Sequence, residues 1–336
     1  MGTLFPSRWN RIITEELNFR CMKTAFAQPF LTQNLMDSEV ICTLRKIFQV
    51  PNDQHFVNIA KEKHNITVFN RGNHPLELPG VREVVGDRHD TKALQSLNTQ
   101  HYDAVVDFCG YGMGDIRTVF SCLSAGFNQY IFVSTCDVYE RGLNRILDEN
   151  APLERRDFGG EAGQYITGKV ALEEELMECA GLYGTSYTSI RPAFIYGPDN
   201  YAPREAIYFH WIERARQILH PVDATGEFQM VFVTDVARAV LNAIGNKEAF
   251  QQAYNLASLP MITYESFSDA LKEVMPIPFE KVPVTLQMVN EKQIPLPFPL
   301  TREESNWYSG EKALQLIGSY TQLVDGLKQT VMSELE

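Results

Sequence analysis

The feature that most constrains the fold is a regular alternation, from residue 45 onward, of short β-rich apolar runs with helical stretches. Strands are predicted at Lys46–Val50, Asn65–Phe69, Val81–Val85, Ala104–Phe108, Tyr130–Ser134 and Ser186–Arg191. Helices are predicted between them over roughly Gln54–Lys63, Ile116–Gly126 and Tyr165–Ala180. Such runs, joined through helices, suit a parallel sheet covered on both faces, so the chain is predicted to be α/β with a doubly wound parallel sheet. Beyond Tyr196 the alternation fades and prolines cluster between Pro276 and Pro299, the pattern of a smaller C-terminal substrate lobe. The expected division is an N-terminal extension over 1–44, the sheet domain over 45–198, and a lobe over 199–336 partly interleaved with the sheet.

At 336 residues and 44% hydrophobic, the chain can bury a large core. Its net charge of −12 offers no basic face for nucleic acid or anionic lipid, so neither is expected as a partner. The six cysteines, Cys21, Cys42, Cys109, Cys122, Cys136 and Cys179, contain no Cys-x-x-Cys pair and read as free thiols in a reducing compartment. No run approaches the roughly 18–20 apolar residues of a membrane helix, and no apolar run near the start fits a secretory signal. A cytoplasmic protein is expected. Arg8, Arg11, Arg20 and Lys23 against Glu15 and Glu16 leave an organelle transit peptide as the lesser alternative to an extra surface segment. The seven histidines show no metal-ligand spacing, and no metal is expected.

Candidate chemistry lies in Tyr130-Ile131-Phe132-Val133-Ser134-Thr135 and, thirty residues after Thr135, in Tyr165-Ile166-Thr167-Gly168-Lys169. Residues four apart on a helix share a face, so the Lys169 ammonium would stand beside the Tyr165 phenol. A nearby cation favours phenolate and lowers a tyrosine pKa from about 10 toward working pH, making Tyr165 a candidate acid/base on a substrate hydroxyl or carbonyl. Thr135, at a strand's carboxyl end, could hydrogen-bond the same oxygen. The spacing alone is weak, since Tyr308-Ser309-Gly310-Glu311-Lys312 repeats it. Context separates the two: no strand precedes Tyr308, which reads as structural and dispensable for reaction.

Three blocks in order, Phe132-Val133-Ser134-Thr135-Cys136-Asp137-Val138-Tyr139, the Tyr165/Lys169 helix, and Ser189-Ile190-Arg191-Pro192-Ala193-Phe194-Ile195-Tyr196-Gly197-Pro198, resemble the extended short-chain dehydrogenase/reductase family, in its NAD-dependent epimerase/dehydratase branch. The resemblance spans about 46 to 320. It implies a Rossmann-like dinucleotide-binding domain and an NAD(P)-dependent oxidoreductase or epimerase acting on a hydroxyl or carbonyl of a small molecule. It further implies Thr135 as the active-site hydroxyl, Tyr165 as acid/base, Lys169 as pKa modulator and ribose ligand, and Pro192 to Ile195 beside the nicotinamide. Asp235, in Val233-Thr234-Asp235-Val236-Ala237-Arg238-Ala239, would fix a loop near a helix start, or serve as a plain N-cap.

Enzymes using NAD generally carry a carboxylate after the second strand, whereas arginine suits the 2′-phosphate of NADP. Here Val68-Phe69-Asn70-Arg71-Gly72 sets Asn70 at that place with Arg71 after it, which favours NADP over NAD. Gly86-Asp87-Arg88 resembles the family's adenine contact, with an ordinary turn as the alternative. Phe108-Cys109-Gly110-Tyr111 would lie along the cofactor.

One part of the family's equipment is missing. No glycine occurs between Gly2 and Gly72, yet the dinucleotide loop needs glycines for its tight turn, for approach to the pyrophosphate and for helix packing. With the first strand at Lys46–Val50, only Pro51-Asn52-Asp53 would precede the helix, about four residues too few. Asp53 would add a carboxylate at the helix start, good as an N-cap but repulsive to phosphate. Three alternatives stand: an active enzyme with an unusual phosphate site, a catalytically inactive family member acting as a binding or scaffold protein, or a chain altered near its N-terminus by insertion or deletion.

Substrate signals are thin. Gly226-Glu227-Phe228-Gln229-Met230-Val231-Phe232 lacks the arginine that family members use to pair with a nucleotide-sugar diphosphate. Arg204, Arg214 and Arg216 could substitute or simply be solvated. Ile294-Pro295-Leu296-Pro297-Phe298-Pro299-Leu300 hints at a less polar substrate or at packing. A plastid branch of the family includes RNA-binding proteins, a role the acidic balance argues against. Monomer and homodimer are both open.

Overall fold

A computed structural model describes residues 38–43, 51–72, 78–156, 158–198, 200 and 204–335. Each central strand carries adjacent apolar residues that point to opposite faces, because side chains alternate along a strand. Val40, Val68, Val106 and Ile131 join one core, while Ile41, Phe69, Val105 and Phe132 join the other. A sheet apolar on both sides must be covered on both sides, and helices do so here.

In chain order the sheet domain runs β1 (Ser38–Thr43), α1 (Pro51–Ala60), β2 (His64–Asn70), β3 (Arg82–Val85), α2 (Thr91–Gln95), β4 (Tyr102–Asp107), α3 (Asp115–Cys122), β5 (Phe127–Val133), β6 (Ile146–Leu147), α4 (Gly160–Tyr183) and β7 (Ser186–Pro192). It continues through β8 (Phe194–Tyr196), α5 (Glu205–Ala215), β9 (Gln217–Pro221), β10 (Met230–Phe232), α6 (Val233–Ala243) and β11 (Gln252–Leu256). The remainder is α7 (Tyr264–Val274), β12 (Glu280–Val284), α8 (Leu286–Lys292), β13 (Trp307–Tyr308), α9 (Leu314–Ile317) and α10 (Leu323–Leu335). Seven parallel strands are ordered β11-β7-β5-β4-β1-β2-β3. β11 lies beyond the expected boundary at residue 198, so the sheet recruits a strand from the C-terminal part of the chain. The lobe's own core is aromatic, with Tyr208, Trp211, Phe228, Phe267 and Phe298 packed together.

The first strand is a correction. It is Ser38–Thr43, paired between β2 and β4, and the expected Lys46–Val50 lies outside the described residues. Residues that were expected to belong to an N-terminal extension therefore contribute an interior strand of the sheet. The reason is compositional: Glu39-Val40-Ile41-Cys42 is a short apolar run that the glycine-free stretch after it obscures. The interval from β1 to α1 is then seven residues, 44–50, and the expected shortfall disappears. Asp53 is the third residue of α1, not its cap. The apolar segment around Ile294–Leu300 resolves as packing, since Phe298 stacks on Phe228 with ring centroids 4.0 Å apart.

Candidate active site

Lys169 fixes the geometry of the reaction end. It is 3% exposed, and its ammonium donates to the Gly110 and Val133 carbonyls, both at 3.0 Å. The Phe132 and Tyr111 rings lie 4.6 and 4.8 Å from it. Burial pushes its pKa down to about 8, with Asp107 and Cys109 opposing the fall. One helix thus binds the ends of two strands, β4 and β5. Gly110 permits this approach: a Cβ there would stand 2.9 Å from the Phe132 ring.

Thr135, two residues beyond Val133, caps the short helical turn Cys136–Val138 by accepting from the Asp137 N–H at 3.2 Å. α4 packs against this turn. Tyr165 lies one turn before Lys169 on α4 and is 41% exposed. Lys169 and Thr135 therefore stand at the carboxyl end of β5, with Tyr165 one helical turn before Lys169 on α4. Ser134, beside Thr135, has a buried Oγ with no hydrogen-bond partner. Pro192 ends β7 and Ile195 lies in β8, next to the same edge of the sheet.

At the carboxyl ends of β2, β3 and β4, an open cleft is lined by Asn70, Arg71, Asp87, Arg88, Cys109 and Tyr111, among others. Most of the expected cofactor residues meet there, but their freedom differs. Asn70 is spent on its neighbours: its amide donates to the Glu83 carboxylate at 2.7 Å and its oxygen accepts from the Gly72 N–H at 2.6 Å. Asp87 accepts from the His89 N–H at 2.9 Å. Arg71 carries a buried Nη2 with no hydrogen-bond partner.

Arg88 is a floor rather than a wall of this cleft. It grips Asp107 with two bonds of 3.0 and 2.9 Å and reaches the Cys109 sulfur and the Asp115 carbonyl. Asp107 is wholly buried and also accepts from the Tyr130 hydroxyl at 2.6 Å. Burial disfavours the Arg88 charge, but Asp107 and Cys109 outweigh it, and the pKa rises. The carboxylate needs this partner, because an unpaired buried charge is strongly destabilising. A buried aspartate closing an apolar strand, Ala104-Val105-Val106-Asp107, was the sequence signal for this network.

Gly110-Tyr111-Gly112-Met113-Gly114, ahead of α3, is a glycine-rich loop. It does not replace the missing phosphate loop. Asp115 Oδ2 accepts from the Tyr111 and Gly112 N–H groups at 2.9 and 3.0 Å, and Glu175 from those of Gly114 and Arg117 at 2.7 and 2.5 Å. Two carboxylates already occupy its donors.

Asp235 is buried inside α6 and accepts from the Thr321 N–H and hydroxyl at 2.7 and 2.8 Å, with Arg238 as ion-pair partner. It fixes a loop, and the N-cap position belongs to Phe232. Arg204 stacks over Phe194 and reaches the Ile195 carbonyl, beside the expected nicotinamide segment. Tyr308 sits in β13, not on a helix, so Tyr308 and Lys312 do not repeat the Tyr165/Lys169 arrangement. No group of three or more potential metal ligands occurs among the described residues.

Residues 55–257, more than half of the chain, match the NAD dependent epimerase/dehydratase family. The match begins at residue 55, beyond the β1–α1 interval and still inside the glycine-free stretch that ends at Gly72. The chain is similar to the chloroplast stem-loop binding protein of 41 kDa b from Arabidopsis thaliana, at 28% identity over 290 residues, covering 80% of this chain and 72% of that protein. Two solved structures share the fold. UDP-glucose 4-epimerase from Thermotoga maritima, with UDP-glucose, has TM-score 0.69 and 18% identity, over 89% of this chain and all of that one. UDP-glucuronic acid 4-epimerase from Bacillus cereus, with a fluorinated UDP-sugar and NAD, has TM-score 0.68 and 15% identity, over 89% and 100%.

Proposed function

The chain belongs to the NAD-dependent epimerase/dehydratase family, and from that premise we propose that it oxidises and reduces a hydroxyl or carbonyl carbon of a small molecule at the Thr135, Tyr165 and Lys169 site. The observation that carries this is the seating of Lys169: bonded to Gly110 and Val133, it draws the Tyr165 face of α4 to the strand end where Thr135 stands.

A nicotinamide dinucleotide fits the residues present. The orphaned Arg71 Nη2 in the cleft suits a phosphate, which supports NADP over NAD, and the orphaned Ser134 Oγ leaves a polar atom for a ligand at the reaction end. Asp87, Cys109 and Gly110 would line the adenosine-to-nicotinamide path, with Pro192 and Ile195 beside the ring. Arg88 would serve by holding the cleft floor. When bound, the cofactor supplies the two-electron acceptor or donor.

Tyr165 takes the substrate O–H proton as the carbon is oxidised and returns it on reduction. Thr135 holds the same oxygen. Lys169 uses two of its N–H groups on carbonyls, leaving a third for a ribose hydroxyl. Substrates are proposed among nucleotide-linked sugars, the ligand class of the structural relatives.

No described helix is long and apolar enough to cross a membrane, and Cys109, Cys122, Cys136 and Cys179 are buried thiols outside any disulfide. Buried thiols outside disulfides support a cytoplasmic protein. A second reading, RNA binding, is favoured by the name of the Arabidopsis relative, against the net charge of −12.

Titrating purified protein with NADP, NADPH, NAD and NADH separates these readings. A cofactor present at one hundred times its dissociation constant should stabilise the fold by about 2.7 kcal/mol. The expected result is a thermal shift that is larger for NADP(H). No shift with any of the four, together with retarded migration of a stem-loop RNA, would favour the second reading.

A further inference from the structure

Resting on the oxidoreductase reading above, we propose that Asp137 is a positioning residue for Thr135, clamped by Tyr308 and Arg141, and that it biases the site toward gripping its substrate as an alcohol. A hydroxyl has one proton and two lone pairs. The Thr135 oxygen already accepts from the Asp137 N–H at 3.2 Å, and its proton faces Asp137 Oδ2 at 3.5 Å. What remains is one lone pair, which accepts from a substrate O–H. A carbonyl substrate requires the proton that Asp137 holds.

The carboxylate is kept from turning away. Its other oxygen accepts from Arg141 at 3.3 Å and from the Tyr308 hydroxyl at 3.5 Å. Tyr308 is itself fixed: Gln229 accepts from its N–H at 2.8 Å and donates to its carbonyl at 3.0 Å. β13 pairs with β6, and the Tyr308 ring lies against Tyr139 with centroids 6.0 Å apart. Segments near residues 135, 229 and 308 thus converge on one carboxylate that is 37% exposed. This revises the expectation that the Tyr308 hydroxyl is dispensable. Its place in a strand excludes the helical pair, yet its oxygen reaches the neighbour of Thr135.

The test compares dead-end complexes of the full-length protein, measured by calorimetry: UDP-glucose as the alcohol on NADPH-loaded protein, and its 4-keto derivative on NADP-loaded protein. Asp137→Asn presents an amide donor to Thr135 in place of an acceptor. It should weaken the alcohol complex about tenfold, with the keto complex unchanged or tighter and cofactor affinity intact. Tyr308→Phe should move the same ratio in the same direction by less. A structural role alone would shift both complexes and the melting temperature together, leaving the ratio fixed. An unchanged ratio in Asp137→Asn, with the wild type binding cofactor and both probes, overturns this inference alone. Failure of the wild type to bind cofactor overturns the oxidoreductase reading and this inference with it.

Discussion

Two regions on the carboxyl side of the sheet contrast, the proposed reaction end and the proposed phosphate end. At the reaction end every element is locked: Lys169 is bonded to two strand ends, Thr135 caps its turn, and Asp137 is held from three sides. At the phosphate end, β1 and α1 stand where a dinucleotide fold needs them, but the interval between them, 44–50, contains no glycine. Fold and phosphate grip are therefore separable. Strand pairing depends on apolar runs and tolerates almost any connecting sequence, whereas anion binding at a helix start depends on backbone donors that side chains easily obstruct.

The largest expected effect tests the locked end. Tyr165→Phe removes a proton donor while keeping the ring, so the chemical step should fall by roughly 10²–10⁴-fold with cofactor affinity and stability little changed. Single-turnover kinetics beside a thermal melt check this. An unimpaired step would mean that the phenol of Tyr165 handles no proton.

Next in size is repair of the other end. A glycine-rich loop placed at 44–50 should restore backbone donors to a pyrophosphate and raise NADP affinity by about tenfold or more. Asp53→Gly alone should help less, because Asp53 lies inside α1 rather than at its tip. If the unmodified chain binds NADP at micromolar concentration and the graft changes nothing, the phosphates are held by other groups and the contrast between the two ends dissolves.

The same contrast explains what the sequence made legible. Strands β2, β4, β5 and β7 and the Tyr165/Lys169 helix stand close to where their apolar runs and spacing predict. β1 was misread because Lys46-Ile47-Phe48-Gln49-Val50 has the composition of a strand, and composition cannot say which of two adjacent runs the sheet recruits. Asn70 and Asp87 line the cleft, but their local bonds are not legible in the sequence, since a turn residue looks alike whether its side chain faces a ligand or its own neighbours. Asp137 and Gln229 escaped notice because their partners lie 171 and 79 residues away.

Two neighbouring arginines divide structure from recognition. Arg88→Ala would strip the buried Asp107 of the guanidinium that grips it, at a cost of roughly 3–5 kcal/mol, visible in a melt without any cofactor. Arg71→Ala should leave the melt alone and lower NADP affinity about tenfold, with NAD affected less. Equal loss of NADP and NAD binding in Arg71→Ala would mean that the orphaned nitrogen meets no 2′-phosphate.

The smallest effect is a slope in pH, and it compares the reaction end with the lobe. Burial pushes Lys169 down from 10.5 to about 8 and Glu205, in α5, up from 4.5 to about 7. Below pH 8 Lys169 is charged in both states and the fold bears its full burial cost. Between about 8 and 10.5 the unfolded chain binds more protons, so stability should rise with pH, by up to about 1.4 kcal/mol per unit. Glu205 runs the other way: between 4.5 and about 7 the folded chain binds more protons, so its contribution falls as pH rises, even though the Gly197 N–H and Asn200 amide donate to it. Denaturant titrations from pH 5 to 10 on Lys169→Met and Glu205→Gln should flatten the upper and lower windows separately. A Lys169→Met protein that keeps the upper slope would show that the ammonium is better solvated than its two carbonyl bonds imply, and the reaction end less tightly closed.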